Sequence, residues 1–159
     1  MKYCPQIVFG NKVMKKMGVK INNDLERFLI AQQTYYRTAL QEIKSGQKRS
    51  CWMWFIFPQI VGLGYSETAR YYAIKNMEEA KAYMEDYTLG TNLIEISEAL
   101  LEVKSNDADE VMGWPDNLKL KSSMTLFALA KPECEVFQEV LDKFFRGEQD
   151  QKTVEILRG

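Results

Sequence analysis

Apolar positions recur at helical spacing along most of the chain. The first clear stretch follows Asn23 and Asp24, either of which is a good N-cap residue. Gly46 is suited to the position just past the end of a helix. The pattern therefore predicts a long first helix between these points. Its apolar face would comprise Leu25, Phe28, Leu29, Tyr36, Ala39, Leu40 and Ile43.

Further helices are predicted wherever a capping residue precedes apolar positions at the same spacing. Their expected starts are Ser66, Asn76, Thr91 or Asn92, Asp107, Asp116, Pro132 and Asp150. Gly90, Gly113 and Gly147 are expected to break or end helices. The result is about eight helical segments joined by short connections, which predicts an all-α, compact multihelical fold.

The run Cys51–Phe57 is apolar throughout, and periodicity does not separate a strand from a buried helix in such a run. No other segment has a strand pattern that could pair with it, and a lone strand has no partner. Residues 1–23 differ, with five lysines, two glycines and one proline and no clear period. We expect an N-terminal extension or arm over residues 1–23 and a single helical domain over residues 24–159.

The amino-acid composition limits the types of catalytic and metal site that the chain can form. The 159 residues include no histidine, which excludes a histidine-based triad, a histidine general base and a histidine-containing zinc site. Acid–base chemistry would have to use Asp, Glu, Lys, Tyr or Cys. No metal or cofactor is expected, no catalytic residue is assigned, and whether the protein is an enzyme stays open.

Charge and cysteine content bear on location and partners. A net charge of −1 makes nucleic acid an unexpected partner. Cys4, Cys51 and Cys134 are widely spaced and form no CxxC pair, so a disulfide framework is not expected and a reducing, cytoplasmic setting is predicted. Neither a signal peptide nor a transmembrane run is visible, so no membrane partner is expected.

Two segments have distinctive sequences: Lys-Arg-Ser-Cys-Trp-Met-Trp-Phe at 48–55 and Leu-Lys-Leu-Lys-Ser-Ser-Met-Thr-Leu-Phe at 118–127. Together with Asp24–Phe28 and Gly62–Gly64 they resemble the bacterial family known as domain of unknown function 1810, over about residues 24–157. The resemblance implies a mostly helical fold. It implies no established activity, so no catalytic residue is carried over from it.

The same segments suggest a ligand site. Aromatic rings can stack on a planar ligand, and Lys or Arg can clamp an anionic group. We therefore predict that a small anionic ligand, such as a nucleotide or an ADP-ribose-like compound, binds where the two segments meet. The candidate ligand-binding residues are Lys48, Arg49, Ser50, Trp52, Trp54, Gln59, Asp116, Lys119, Ser122 and Ser123.

Structural roles compete with this hypothesis. Phe55 and Phe57 are better explained as core residues, and the two tryptophans fit either role. Asp116 has the position and residue type of an N-cap. Lys48 and Arg49 could form a solvated hinge, and the paired serines could permit close helix contact.

Two alternative functions are also compatible with the sequence. One is a non-catalytic protein-interaction domain, as a monomer or a weak homodimer with an exposed apolar patch. The weaker one is a hydrolase, because the segment from Ser66-Glu67 to Tyr72-Ala73 resembles the segment that carries a catalytic Glu in the NADAR class of N-glycosidases. The spacing is one residue out, and Glu67 is also explained by the dipole of a helix first turn.

Overall fold

The structure is a computed structural model that describes residues 25–159. Within them lie nine α-helices and no β-strand, apart from one isolated parallel bridge between Ile60 and Ile74. The all-α prediction is confirmed. The helices are α1 (Glu26–Lys44), α2 (Met53–Ile56), α3 (Glu67–Tyr71), α4 (Met77–Glu85), α5 (Tyr87–Glu102), α6 (Ala108–Met112), α7 (Asp116–Ala130), α8 (Val136–Phe145) and α9 (Gln151–Arg158).

Four predicted helix starts are confirmed by their caps. The side chains of Ser66, Asn76, Asp107 and Asp150 each accept a hydrogen bond from a first-turn backbone N–H of α3, α4, α6 and α9. These bonds satisfy donors that the helix itself leaves unpaired. The predicted cap at Asn23 or Asp24 lies outside the described residues.

The predicted start of α5 is wrong. The helix begins at Tyr87, because Asp86 accepts a hydrogen bond from the backbone N–H of Leu89 at 2.9 Å. Gly90 therefore lies inside the helix and is buried. A Cβ atom at this position would lie 2.3 Å from the backbone oxygen of Met84. Glycine is needed here for the close approach to α4, and it does not break the chain.

The predicted N-cap role of Asp116 is also wrong. Asp116 is the first residue of α7, Pro115 occupies the cap position, and no side chain forms a capping hydrogen bond there. The carboxylate forms ion pairs instead, with Lys48 at 2.8 Å and Lys119 at 3.3 Å. The ion pair with Lys48, which is distant in sequence, forms in place of a capping hydrogen bond by the Asp116 side chain.

One core cluster of buried side chains links α1, α2, α4, α5, α7 and α8. The ambiguous aromatic run contributes α2, and Phe55 and Phe57 are fully buried as predicted. A buried amide network ties three helices to this run. The side chain of Gln32 donates to the backbone oxygen of Phe55 at 2.9 Å and to the hydroxyl of Tyr83 at 3.0 Å, and it accepts from the Asn92 amide at 2.9 Å.

A buried arginine connects α1 to the segment between α3 and α4. Arg27 donates to the backbone oxygens of Tyr71 and Ala73, both at 2.8 Å. It also pairs with the carboxylate of Glu79 at 2.9 Å, and both side chains are almost fully buried. The strong charge-assisted bonds therefore fix the course of residues 71–73 relative to the core.

The two cysteines of the described residues differ. Cys134 carries a free thiol, whereas Cys51 is disulfide-bonded. The disulfide at Cys51 departs from the expectation that no disulfide framework is present. The reducing, cytoplasmic setting stays a prediction. Across residues 25–159, none of the helices combines the length and the hydrophobicity that crossing a lipid bilayer requires.

Arg27→Met should destabilise the fold by about 3 kcal/mol, because it leaves the buried Glu79 carboxylate without its partner. Urea unfolding of the variant and of the parent protein measures the difference. Arg37→Met is the matched control, since Arg37 is exposed, and it should change the free energy of unfolding by less than about 0.5 kcal/mol. Equal effects of the two substitutions would contradict the assigned role of Arg27.

Candidate functional site

A single carboxylate organises the turn that leads into the aromatic run. Glu42, near the end of α1, accepts hydrogen bonds from the backbone N–H groups of Arg49 and Ser50 at 2.6 and 2.8 Å. It also accepts from the Ser50 hydroxyl at 2.6 Å and from the indole N–H of Trp52 at 2.9 Å. These bonds fix the Arg49–Trp52 turn against α1 and satisfy the Trp52 indole.

The same contacts change the acidity of Glu42. Burial alone would raise the pKa of its carboxyl group, but the hydrogen bonds from Ser50, Arg49 and Trp52 stabilise the ionised form and together lower the pKa below its ordinary value. Glu42 is therefore a structural carboxylate that is ionised at neutral pH.

A chain of charges joins this turn to α7. The buried ammonium of Lys48 pairs with Asp116 at 2.8 Å and lies 4.9 Å from the centre of the Trp52 ring. Asp116 also pairs with Lys119, whose ammonium lies 5.2 Å from the centre of the Trp54 ring. The two distinctive sequence segments are therefore neighbours, and the ion pairs at Asp116 connect them.

The two tryptophans have different surroundings. Trp52 is fully buried, with its indole N–H directed to Glu42. Trp54 is only partly buried and packs at the edge of the core. A planar ligand could therefore reach Trp54 but not Trp52 without unfolding the turn.

Trp54 lines a cavity of about 240 Å³ between α2 and α3. The cavity is also lined by the amide of Gln59, by Tyr65, by Tyr72 and by Arg70. Apolar residues on both sides of the Gly62–Gly64 turn complete the wall: Ile60, Val61, Gly62, Gly64, Ala69 and Ala73. The volume lies below the range of roughly 300–1,000 Å³ for pockets that enclose a drug-sized ligand, so this cavity suits one ring system.

Backbone contacts position the cavity wall. The N–H of Val61 donates to the oxygen of Ile74 at 2.8 Å, and the N–H of Ile74 donates to the oxygen of Gln59 at 2.8 Å. On the far side, the ring of Tyr72 packs 5.2 Å from the ring of Phe55. The bonds from Arg27 to the neighbouring backbone hold the same segment. The wall near Tyr72 is thus attached to the core.

Of the ten candidate residues, only Trp54 and Gln59 line this cavity. The Lys119 ammonium lies over the Trp54 ring, but Lys119 does not line the cavity. Lys48 and Asp116 do not line the cavity either; Asp116 forms ion pairs with both lysines. Ser50 is bound to Glu42, and Arg49 is exposed, with its backbone N–H bound to the same carboxylate.

Ser122 and Ser123 face the interior of the fold. The Ser122 hydroxyl donates to the backbone oxygen of Leu118 at 3.1 Å. Ser123 is fully buried, and its hydroxyl has no hydrogen-bond partner among residues 25–159. Neither lines the cavity, and both positions fit small residues that allow close helix packing.

The sequence did not predict the other aromatic and charged residues of the cavity, which are Tyr65, Arg70 and Tyr72. The sequence offers little signal for Arg70, since it follows Glu67 at a spacing typical of an ordinary surface ion pair on a helix. The hydrogen bonds between the Gln59–Val61 segment and Ile74 close the loop that brings Arg70 to the cavity. That closure cannot be deduced from local patterns.

The cavity offers little acid–base chemistry. Among the residues that the structure describes, none of those lining it is Asp or Glu. Glu67 is exposed and does not line it. Burial raises the pKa of Tyr72 to about 12, so this hydroxyl stays protonated at neutral pH. Among the described residues, the arrangement can stack a ring and attract a negative charge, and it presents no carboxylate to a bound molecule.

Residues 25–159 contain no cluster of three or more cysteine, aspartate or glutamate side chains that could hold a metal ion. The arrangement at the cavity, with an amide, an arginine and tyrosine hydroxyls, is also not a typical ligand set for a divalent metal.

Comparison with known proteins identifies relatives of unknown role. Residues 22–157 match the family described as "Protein of unknown function (DUF1810)". The fold is similar to the crystal structure of the conserved hypothetical protein Rv1873 from Mycobacterium tuberculosis, with a TM-score of 0.84 and 43% identity, covering 86% of this chain and 97% of that chain. No protein in the curated set gives a significant match.

Glu42→Gln should make stability less sensitive to acid. Because the folded pKa of Glu42 is lowered, its ionised form contributes stability that is fully present above the unfolded pKa of about 4.3. That contribution is lost as the pH falls through the folded pKa. Urea unfolding between about pH 6 and pH 2 should therefore show a steeper loss for the parent protein than for the variant.

The matched control for this measurement is Glu85→Gln, at an exposed position on α4. It should leave the acid-induced loss of stability close to that of the parent protein. Parallel curves for the parent and Glu42→Gln would show that the turn does not depend on the ionised carboxylate.

Proposed function

The chain belongs to the DUF1810 family, whose function is unknown, and we propose that it binds a small planar anion in the cavity lined by Trp54 and Arg70. A nucleotide is the leading class of ligand, and an ADP-ribose-like compound is a longer member of the same class. The observation that carries the proposal is that an accessible indole and an arginine line one cavity that no described carboxylate lines.

The indole provides the ring contact. Stacking of a base on a well-placed aromatic side chain contributes roughly 1–3 kcal/mol. The Lys119 ammonium over the Trp54 ring also favours an electron-rich or anionic partner near the indole. Asp116 holds this ammonium in position through its ion pair at 3.3 Å.

Arg70 provides the anion contact. Its side chain is exposed, lines the cavity and forms no ion pair with any other described residue. A guanidinium can bind a phosphate or carboxylate group through two parallel hydrogen bonds. With the ring against Trp54, the phosphate would therefore point towards the open side of the cavity.

Charge argues against one competing class of ligand. Cavities with several aromatic side chains also bind quaternary ammonium groups, and Trp54, Tyr65 and Tyr72 resemble such a cage. Arg70 at the wall and the Lys119 ammonium over the Trp54 ring would repel a cation. The cavity volume adds a limit, since about 240 Å³ accommodates one ring system. The rest of a longer ligand would extend over the surface.

The hydrolase alternative has weaker support, because a glycosidase needs carboxyl groups beside the scissile bond. Glu67 is the nearest candidate in the sequence, and its side chain is exposed outside the cavity. The protein-interaction alternative has independent support from the exposed side chains of Trp114 and Leu118.

A thermal-shift panel of AMP, ADP-ribose, adenosine and inorganic phosphate tests the proposal. A ligand at 100 times its dissociation constant adds about 2.7 kcal/mol of apparent stability. We expect AMP or ADP-ribose to raise the melting temperature more than adenosine or phosphate alone. Arg70→Gln should weaken AMP binding at least about tenfold and bring it close to that of adenosine, because a hydrogen bond to a charged group contributes roughly 1.5–3 kcal/mol.

Two pairs of variants isolate the cavity. Trp54→Leu should weaken binding of every ring-containing ligand, whereas Trp114→Leu, which changes an exposed tryptophan elsewhere, should not. Arg158→Gln on α9 is the control for Arg70→Gln. No shift with any compound, or equal binding by Trp54→Leu and Trp114→Leu, would refute the proposal.

A further inference from the structure

An apolar surface lies on the side of α7 that carries Leu118. Leu118 is 52% exposed, and Trp114, four residues earlier, is 75% exposed. Isolated exposed apolar residues are common, but contiguous exposed apolar surface is typical of interaction sites.

Leu118 opens onto a shallow groove of about 730 Å³ between α6, α7 and α8. Phe144 and Phe145, both partly buried at the end of α8, line it with Leu118. None of these residues lines the Trp54 cavity. The groove is therefore separate from the proposed ligand site.

The groove carries charges of opposite sign from different elements. Asp107 and Asp109, at the start of α6, supply negative charge, and Arg146, just after α8, supplies positive charge. Asp109 and Arg146 are exposed, and neither forms an ion pair within residues 25–159.

The groove's other cations are already engaged. Lys143 donates to the backbone oxygens of Leu100, Leu101 and Val103 at the end of α5, which occupies its ammonium group. Lys121 lies 3.6 Å from the carboxylate of Glu148. Arg146 is therefore the cation of the groove with the most freedom to bind a partner.

We propose that this groove is the surface through which two copies of the chain form a two-fold symmetric dimer. In such a dimer the same patch is used twice, so residue i contacts residue j and residue j contacts residue i. A patch that holds both an acidic and a basic element around apolar residues is complementary to itself under this symmetry. Asp109 of one copy faces Arg146 of the other, and the contact occurs twice.

Net charge is compatible with this partner. At −1 per chain, two copies repel each other little. An acidic or a basic partner protein would match only one side of the groove and leave the other side unpaired. The apolar side chains of Leu118, Phe144 and Phe145 supply apolar area for such an interface alongside the charge pairs.

Sedimentation velocity of the full chain over a concentration series tests the dimer. The apparent mass should rise towards about 37 kDa, twice the 18.5 kDa of one chain. Leu118→Glu should abolish the rise. Tyr87→Glu is the matched control at an exposed aromatic residue outside the groove, and it should leave the rise unchanged.

Charge exchange tests the arrangement of the two copies. Arg146→Glu and Asp109→Arg should each weaken dimerisation by at least about tenfold, because each places like charges opposite one another twice. An equimolar mixture of the two variants should recover the dimer, since both contacts in the mixed dimer are again between opposite charges. A simple loss of folding would not produce this recovery.

A constant mass of one chain at every concentration would overturn the proposal and leave the groove to a different partner. A dimer that persists in Leu118→Glu would overturn the assignment of the surface. Failure of the mixture to recover the dimer would overturn the two-fold pairing. Ligand binding by Arg70 and Trp54 is measured independently, so neither proposal depends on the other.

Discussion

The turn before the aromatic run depends on the ionised carboxylate of Glu42. Its four hydrogen bonds gather two backbone N–H groups, a hydroxyl and an indole at one point near the end of α1. Once Trp52 is held there, the chain enters α2 with Phe55 and Phe57 in the core and Trp54 at its edge. Trp54, the tryptophan that lines the cavity, is therefore positioned by the hydrogen bond between Glu42 and the neighbouring, buried Trp52.

Ion pairs of Asp116 connect this turn to α7. Asp116 shares its two oxygens between Lys48, from the turn, and Lys119, over the Trp54 ring. A buried pair of this kind contributes little net stability because removing charges from water is costly. Its effect is geometric: it sets α7 against the turn and places the Lys119 ammonium over the Trp54 ring. The cavity therefore combines an aromatic wall attached to the core with Arg70, which forms no ion pair with any other residue of the described range.

Local chemistry made much of the fold predictable. Ser66, Asn76 and Asp150 cap helices because their side chains accept N–H groups that lie within a few residues. The prediction for Asp116 was wrong because Lys48, distant in sequence, competes for the same carboxylate. Trp54 could be proposed as a ligand contact from its residue type. Arg70 could not, since only the closure of the loop between Gln59 and Ile74 brings it to the cavity.

The packing at Gly90 has a consequence for the sequence itself. Its missing side chain lets α5 approach the end of α4 so closely that even a methyl group would meet the oxygen of Met84. The same two helices supply Tyr83 and Asn92, whose side chains meet at Gln32. A single extra carbon would push the helices apart and separate polar groups on their inner side. Position 90 therefore tolerates almost no residue other than glycine. The restriction comes from the close packing of two helices alone.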